Sequence, residues 1–370
     1  QSGDENVVSS WSEEYQARLY RDNIRMFDNI PNLRGVSPWI LFDFRSPFRF
    51  HPTNQDGWNR KGLISDQGMR KKAWYLMRDY YMKKNVMKQY KIVVICMCIL
   101  LLLAGGVYAQ QKTVRILAIG NSFSQDAVEQ YLHELAEAEG ISTIIGNMFI
   151  GGCSLERHVK NARENAPAYA YRKIGTDGKK REKGKMSLEA VLADEDWDYV
   201  SLQQASPFSG MYETYEASLP ELIEYVKVRL PKKTKLMLHQ TWAYASTSRH
   251  SGFKNYNCNQ LTMYQAIADA VKKAAKVNKI KIVIPSGTAI QNARTSFIGD
   301  HLNRDGYHLD VKIGRYTAAC TWFERIFKHN VVGNPYAPEG LDEARKAVAQ
   351  KAAHAAVKHP YKVTELSITN

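Results

Sequence analysis

A serine, an aspartate and a histidine in this chain of 370 residues have the types and positions that nucleophilic chemistry requires. Ser122 follows the apolar run VRILAIG at residues 114–120, and Asp305 and His308 lie three residues apart in DGYH. A histidine can take the proton of a serine hydroxyl while a carboxylate orients the imidazole, so that the serine oxygen attacks an acyl carbon. The alternative for Ser122 is a plain strand-to-helix turn in which the serine caps the helix.

The elements that must position these residues follow from the hydrophobic pattern after residue 113. Short apolar runs alternate with amphipathic stretches, which predicts an α/β fold with a five-stranded, mostly parallel sheet and helices on both faces. Side chains at the carboxyl ends of parallel strands meet at one edge of such a sheet. The predicted strands are residues 114–119, 143–149, 199–203, 235–239 and 280–284, and the predicted helices are residues 125–138, 215–229, 260–277, 312–327 and 342–357.

Several further residues follow these predicted strands. Gly152 follows the second strand and could offer its N–H to an oxyanion together with the N–H of Ser122, although a glycine pair is also simply a turn. Trp242 follows the fourth strand, where it could stack on a sugar ring or pack against a loop. We assign three of the residues at this edge to substrate binding: Asn121, Gln240 and Trp242.

Three motifs in this region resemble a known enzyme family. GNSFS at residues 120–124, GGCSL at 151–155 and RDGYHL at 304–309 resemble, in order, the first, second and fifth blocks of the SGNH (GDSL-like) hydrolases. The stretch DGYHLDVKIGRYTAACTW is similar to the subgroup called domain of unknown function 4886, and the likeness covers residues 113–328. It implies a serine hydrolase with Ser122 as nucleophile, His308 as base and Asp305 as the group that holds the base.

One position departs from the pattern of that family. SGNH enzymes usually place an Asn after the third strand as an oxyanion donor, whereas this chain has SLQQAS at residues 201–206. A glutamine carries the same amide N–H₂ one methylene further out. We predict that Gln203 or Gln204 replaces the Asn, with Gln204 favoured because it is nearer the end of the strand. The alternative is that both glutamines bond only the loop backbone.

The first 84 residues resemble a different family. PWILFDFRSP at residues 38–47 and NQDGWNRKGL at 54–63 closely resemble the C-terminal end of the catalytic barrel of glycoside hydrolase family 2, the β-glucuronidase and β-galactosidase group. The resemblance implies a partial β/α-barrel fragment, and periodicity predicts a helix over residues 12–30, a buried strand over 33–44 and a helix over 71–84.

The same resemblance implies substrate contacts in this fragment. Trp39 would lie beside the sugar site, and Asn59 and Lys61 would contact a uronate carboxylate. The alternatives are a barrel-core aromatic for Trp39 and a solvated loop charge for Lys61. A retaining glycosidase needs two carboxylates about 5 Å apart. The family places both on strands before the matched segment, so we expect the fragment to be inactive.

An apolar segment, MKQYKIVVICMCILLLLAGGVYAQQ, separates the two regions. Two lysines, an apolar run at residues 92–103 and the small-residue end Val-Tyr-Ala before Gln110 are typical of a secretory signal peptide that is cut after Ala109. A transmembrane helix is the alternative. We therefore expect three parts, residues 1–84, 85–111 and 112–370, and a secreted or periplasmic protein.

Charge and composition limit the classes of partner and cofactor that we expect this chain to bind. The formal net charge is +14, but the basic residues concentrate in RKIGTDGKKREKGK at residues 172–185, without alternating aromatic residues. This pattern predicts a solvated hairpin or insertion rather than a nucleic-acid site. The five cysteines match no zinc pattern, and no Asp/Glu/His cluster has metal-ligand spacing, so we expect no metal and no cofactor.

Together these features predict an esterase that removes acetyl or other small ester groups from a polysaccharide. The expected partner is a carbohydrate or small ester substrate, with no nucleic acid, and with a membrane only through the apolar segment if it is not cleaved. Two alternatives remain open, a family 2 glycosidase and a non-catalytic glycan-binding domain.

Overall fold

The computed structural model describes residues 11–50, 55–84 and 113–366. The chain forms two compact units, Gln1–Tyr108 and Ala109–Asn370. The predicted signal peptide, residues 85–111, lies outside the described residues. Among the residues that are described, no helix is long and apolar enough to cross a membrane.

The described residues of the first unit form two helices and a minimal sheet. Helix α1 (Glu13–Asp28) begins at the N-cap Ser12, strands β1 (Phe44–Arg45) and β2 (Trp58–Asn59) pair in antiparallel fashion, and residues 72–84 form helix α2. The predicted buried strand over residues 33–44 is wrong, since only Phe44 belongs to a strand and Trp39 is 60% exposed. A barrel strand is buried by neighbours on both of its edges, and the described part of this unit supplies only a two-residue partner. The described residues of this unit do not show the predicted partial barrel, which stays a prediction.

The second unit is built on a seven-stranded sheet with the order β6-β5-β4-β3-β7-β8-β9. The five predicted strands are present and run parallel to one another. The predicted count of five is wrong because a charged antiparallel hairpin, β5–β6, extends the sheet beside β4. The strands are β3 (Val114–Gly120), β4 (Thr143–Phe149), β5 (Tyr169–Ile174), β6 (Lys180–Met186), β7 (Tyr199–Leu202), β8 (Lys235–His239) and β9 (Ile282–Ile284).

Helices connect and cover these strands. The predicted helix over residues 125–138 begins earlier, at Ser122, and is interrupted where Tyr131 adopts a positive φ of 70°. The predicted helix over 215–229 is also two helices. The helices are α3 (Ser122–Val128), α4 (Leu132–Glu137), α5 (Leu155–Arg163), α6 (Leu188–Leu192), α7 (Tyr212–Glu216), α8 (Leu219–Lys227), α9 (Gln260–Val277), α10 (Ser286–Arg294), α11 (Ile313–Phe327) and α12 (Glu343–Lys358).

The core of the second unit lies between the central strands and these helices. β3 is buried from Ile116 to its end, as expected of a central parallel strand, and α11 is buried along most of its length. The exposed outer strand β6 carries Lys, Arg and Glu side chains instead. Charged side chains on an edge strand hinder pairing with another chain, which explains why the basic run forms a stable edge.

Candidate active site

Ser122 is the first residue of α3, directly after the central strand β3. The helix is capped by Asn121, whose side-chain oxygen accepts a hydrogen bond of 2.9 Å from the N–H of Phe123. The alternative in which Ser122 itself caps the helix is therefore wrong. Ser122 is half-buried, and none of the hydrogen bonds among the described residues involves its hydroxyl. The hydroxyl is thus available to a substrate.

The close approach of the strand ends depends on Gly120. A Cβ at this position would lie 2.6 Å from the Oγ of Ser124 and 2.8 Å from the Cδ of Gln203. Only glycine lets β3 and β7 end this close together without moving their side chains. Gly120 therefore allows Gln203 to contact the residue that precedes the serine.

Asp305 and His308 form the predicted pair. The Nδ1 of His308 lies 2.7 Å from one carboxylate oxygen of Asp305, and the other oxygen accepts the N–H groups of Tyr307 and His308. Burial raises the pKa of Asp305, but the hydrogen bonds from His308 and from these N–H groups lower it by more, so the carboxylate ionises below its ordinary value. With Nδ1–H donating to the carboxylate, Nε2 of the neutral ring is left as the proton acceptor.

The loop that carries this pair is tied to the serine helix. Asp126 lies on α3 and is fully buried. Its carboxylate accepts a hydrogen bond of 2.8 Å from the N–H of Leu309, and both of its oxygens accept hydrogen bonds of 3.2 Å from Arg304. Arg315 on α11 forms a second ion pair with Asp126 at 2.6 Å. Asp126 was not among the residues predicted from the sequence. The only feature of the sequence that could have indicated a role for Asp126 is its position four residues after Ser122, which puts both residues on the same face of α3.

Trp242 secures the same loop from the other side. Its ring stacks on Phe123 with a centroid distance of 4.3 Å, and its Nε1 donates to the carbonyl of Tyr307. The ring of His308 in turn lies 6.0 Å from that of Phe123, next to Ser122 in the chain. The side chain of Trp242 is fully buried, so its predicted role in stacking on a sugar is wrong. It positions the His308 loop against the start of α3.

Gly152 lies in an exposed turn after β4. Its φ of 63° is in the left-handed region, and no heavy atom lies within 4 Å of the position of a Cβ. Asn121 holds this turn through a hydrogen bond of 3.1 Å from its amide to the carbonyl of Cys153. No hydrogen bond among the described residues uses the N–H of Gly152 or of Ser122. Both N–H groups can therefore serve a developing oxyanion.

The two glutamines after β7 have different partners. Gln204 is buried and faces the loops, because its oxygen accepts the N–H groups of Leu155 and Ala205 and its amide donates to Thr214. The preference for Gln204 as the oxyanion donor is therefore wrong, and it bonds the loops as the alternative foresaw. Gln203, which is also buried, instead donates at 2.8 Å to the side-chain oxygen of Asn121, the cap of the helix that begins with Ser122.

Gln203 belongs to a buried chain of polar side chains. Its oxygen lies 2.8 Å from Nδ1 of His239, and Nε2 of His239 lies 3.0 Å from the hydroxyl of Ser286. Burial lowers the pKa of His239 to about 3, so the ring is neutral at ordinary pH. The chain from Ser286 to Asn121 thus supports the cap of α3.

The substrate-binding roles predicted for Gln240 and Asn121 do not match their contacts. Gln240 is fully buried, and its amide bridges Thr288 and the carbonyl of Pro360. Asn121 is also buried, and the three hydrogen bonds of its side chain go to the protein. Both predictions are wrong in the same way, since a position at a strand end does not fix the direction of a side chain.

In the first unit, the predicted substrate residues are not equivalent. Trp39 is exposed and meets Phe44 edge-on, and Lys61 is exposed. Asn59 is fully buried and its oxygen accepts the N–H of Lys61. The exposed side chain of Trp39 excludes the barrel-core alternative, whereas the buried Asn59 shapes the turn that carries Lys61. Trp39 and Lys61 both line a groove of about 730 Å³ in this unit.

Within the described parts of the chain, no group of three or more His, Cys, Asp or Glu side chains has an arrangement that could hold a metal ion.

The family model described as domain of unknown function DUF4886 matches residues 115–356. The crystal structure of a DUF4886 family protein from Bacteroides uniformis is 67% identical, covers 70% of this chain and all of its own, and superposes with a TM-score of 0.69. An acetylxylan esterase from Geobacillus stearothermophilus is 15% identical, covers 58% of this chain and 93% of its own, and has a TM-score of 0.38.

Two curated relatives each match a short stretch of this chain. They are β-glucuronidases by description, from Formosa agariphila and Streptococcus agalactiae, and each is 33% identical over 21% of this chain. This chain spans only 9% and 14% of their lengths.

Proposed function

This chain belongs to the DUF4886 family, and we propose that it is a serine hydrolase of SGNH type that cleaves small esters. The observation that carries the proposal is the hydrogen bond of 2.7 Å between His308 and Asp305, on a loop that Asp126 ties to the helix beginning with Ser122. A free serine hydroxyl, an oriented imidazole and two unused N–H groups are the components of acyl transfer.

The proposed reaction proceeds in two steps. In the first, the Oγ of Ser122 attacks the ester carbonyl, Nε2 of His308 takes the hydroxyl proton, and the oxyanion receives the N–H groups of Ser122 and Gly152. His308 then gives the proton to the leaving alcohol. In the second, His308 takes a proton from water, whose oxygen attacks the acyl-serine and releases the acid. Asp305 keeps the imidazole in the required tautomer and stabilises its charged form.

Acetyl or another small acyl group on a polysaccharide is the substrate class that we propose. The support is association within the sequence, where a signal-like segment precedes the second unit and a glycosidase-like region precedes that segment. By the same reasoning we propose that the protein is secreted or periplasmic. Mass spectrometry of the exported protein should find an N-terminus at Gln110, and an intact apolar segment in the membrane fraction would contradict export with cleavage.

The experiment that tests the function compares two serine-to-alanine variants of the full chain. Ser122→Ala should lower kcat on p-nitrophenyl acetate by about 10⁴-fold or more, as loss of a nucleophile usually does. Ser187→Ala is the matched control, because Ser187 only caps the remote helix α6 and its loss should cost about 1 kcal/mol of stability. Equal turnover of the two variants, or no labelling of Ser122 by a fluorophosphonate, would favour a non-catalytic glycan-binding domain.

We further propose that residues 13–81 derive from a family 2 glycosidase barrel and have no glycosidase activity of their own. The support is the 33% identity to β-glucuronidases over a small share of their length. The full chain should release no product from p-nitrophenyl glucuronide, and measurable release that survives Ser122→Ala would contradict this.

A further inference from the structure

A basic groove lies at the edge of the sheet opposite Ser122. It occupies about 680 Å³ beside the amino ends of β7, β8 and β9, whereas Ser122 follows the carboxyl end of β3. The fold brings basic side chains from separate segments into this groove, and no Asp or Glu of the described residues lines it. These side chains are Lys227, Lys232, Lys235, Lys279, Lys281, Arg325 and Lys328.

The floor of the groove is apolar. Leu230, Leu236, Ile280 and Ile282 line it and are each only partly buried, together with the ring of Tyr199. A cationic rim above an apolar floor suits a partner that presents anionic groups next to hydrocarbon. Single-stranded nucleic acid favours a row of aromatic stacking faces instead, and Tyr199 is the only aromatic residue among the described ones that line the groove.

Helix dipoles explain only part of this charge. Lys227 and Lys328 lie at the C-terminal ends of α8 and α11, where a cation is ordinarily stabilising. Lys232, Lys235 and Lys281 lie in loops or at strand starts, and no carboxylate of a described residue forms an ion pair with them. These three lysines concentrate positive charge without a carboxylate partner among the described residues, although the ammonium of Lys235 lies 5.3 Å from the ring centroid of Tyr199.

The chain also enters the second unit at this edge. β3 and β7 run parallel with Ile116 opposite Tyr199, so the start of β3 at Val114 lies at the same edge as the groove. The edge that holds Ser122 is one strand length away, or about 20 Å for a strand of this size.

We propose that the basic groove docks the second unit onto an anionic phospholipid surface. Lipid phosphates would contact the rim lysines, and the outer hydrocarbon would cover the exposed parts of the floor. The active-site edge would then face away from the membrane, towards polymers in solution. The attraction to anionic lipid is worth about a fivefold change in partitioning per lysine at the surface. The proposal goes beyond the hydrolase function and does not depend on it.

The test is co-sedimentation of residues 110–370 with vesicles. This unit is expected to fold alone, since the whole crystallised chain of the 67% identical relative corresponds to 70% of this chain. The protein should bind vesicles containing phosphatidylglycerol and not vesicles of phosphatidylcholine alone, and added salt should weaken the binding. Changing Lys232, Lys235 and Lys281 together to Gln should weaken binding about 100-fold.

A control variant with the same change in charge distinguishes binding through this groove from a general effect of the protein's net charge. Lys179, Lys183 and Lys185 lie on or beside the exposed strand β6, and their joint change to Gln should leave vesicle binding within a few-fold. Circular dichroism checks that both triple variants are folded, and Lys232→Gln with Lys281→Gln serves if the groove triple is not. Equal losses in the two sets, or binding to DNA or polygalacturonate but not to vesicles, would overturn the proposal.

Discussion

Replacing Asp126 by Asn tests whether the carboxylate on α3 positions the catalytic loop. The carboxylate accepts hydrogen bonds from Arg304 and from the N–H of Leu309, on either side of Asp305 and His308. It also pairs with Arg315 on α11. The substitution keeps the shape of the side chain and one acceptor oxygen, but it removes the charge that the two arginines face.

The expected loss of stability follows from the burial of Asp126, and the expected loss of kcat follows from the displacement of His308. Asp126 is 0% exposed, and breaking a buried ion pair from one side costs about 3–5 kcal/mol. Because Asn retains one acceptor oxygen, we expect the free energy of unfolding to fall by an amount near the lower end of this range, about 3 kcal/mol. A domain of ordinary stability stays folded after such a loss. A displacement of His308 by about 1 Å should lower kcat by about 10²-fold. KM should change little, since Asp126 is buried and does not face the substrate.

The assay measures kcat and KM on p-nitrophenyl acetate well below the unfolding temperature, together with urea unfolding. Glu324→Gln is the matched control, because Glu324 is a buried carboxylate on α11 that accepts hydrogen bonds from His354 and the N–H of Val331, away from the site. It should lower stability and leave kcat unchanged. If Asp126→Asn loses stability but keeps kcat within two- to threefold of the original, the positioning argument is refuted.

Two further predictions concern buried polar residues. Gln203→Ala should lower kcat by about 10²-fold with little change in KM, because it removes the donor to Asn121, which caps the helix that presents Ser122. Gln204→Ala should chiefly lower stability, since Gln204 bonds only the loops. Kinetics of both variants check this, and equal kcat values would contradict it. Burial lowers the pKa of His158 to about 3. Below pH 6.5 the unfolded chain therefore binds a proton at this residue that the folded protein does not. As pH falls, the free energy of unfolding decreases by about 1.4 kcal/mol per pH unit until the folded-state pKa is reached. His158→Phe, which keeps the stacking on Tyr169, should remove this share of the slope in urea unfolding between pH 7 and pH 5, and an unchanged slope would refute the assignment.

The parallel core of the second unit was predictable from sequence because its strands are continuous apolar runs. The basic run at residues 172–185 was predicted as a hairpin or insertion, and it does form the hairpin β5–β6, but its pairing with β4 in the main sheet was not predicted because its charged side chains resemble a solvated segment. Asp305 and His308 were predicted from a spacing of three residues, which is local. Asp126 was missed because its partner Arg304 is 178 residues away in the chain, and no local pattern reports such a contact.

The helix that presents Ser122 also depends on the direction of a hydrogen-bond chain. The N–H of Phe123 can only donate, so Asn121 presents its side-chain oxygen to it, and the amide of Gln203 must donate to that same oxygen. The oxygen of Gln203 then faces Nδ1 of His239, so the neutral ring carries its proton on Nδ1. The oxygen of Asn121 then accepts from Gln203 and from the N–H of Phe123, which leaves its amide to donate to the carbonyl of Cys153 beside Gly152. A carboxylate in place of Asn121 could accept the first two bonds but could not donate the third. The Asn therefore joins the cap of α3 to the glycine turn, and the backbone groups of Phe123 and Cys153 fix its orientation, which in turn sets the orientation of the Gln203 amide.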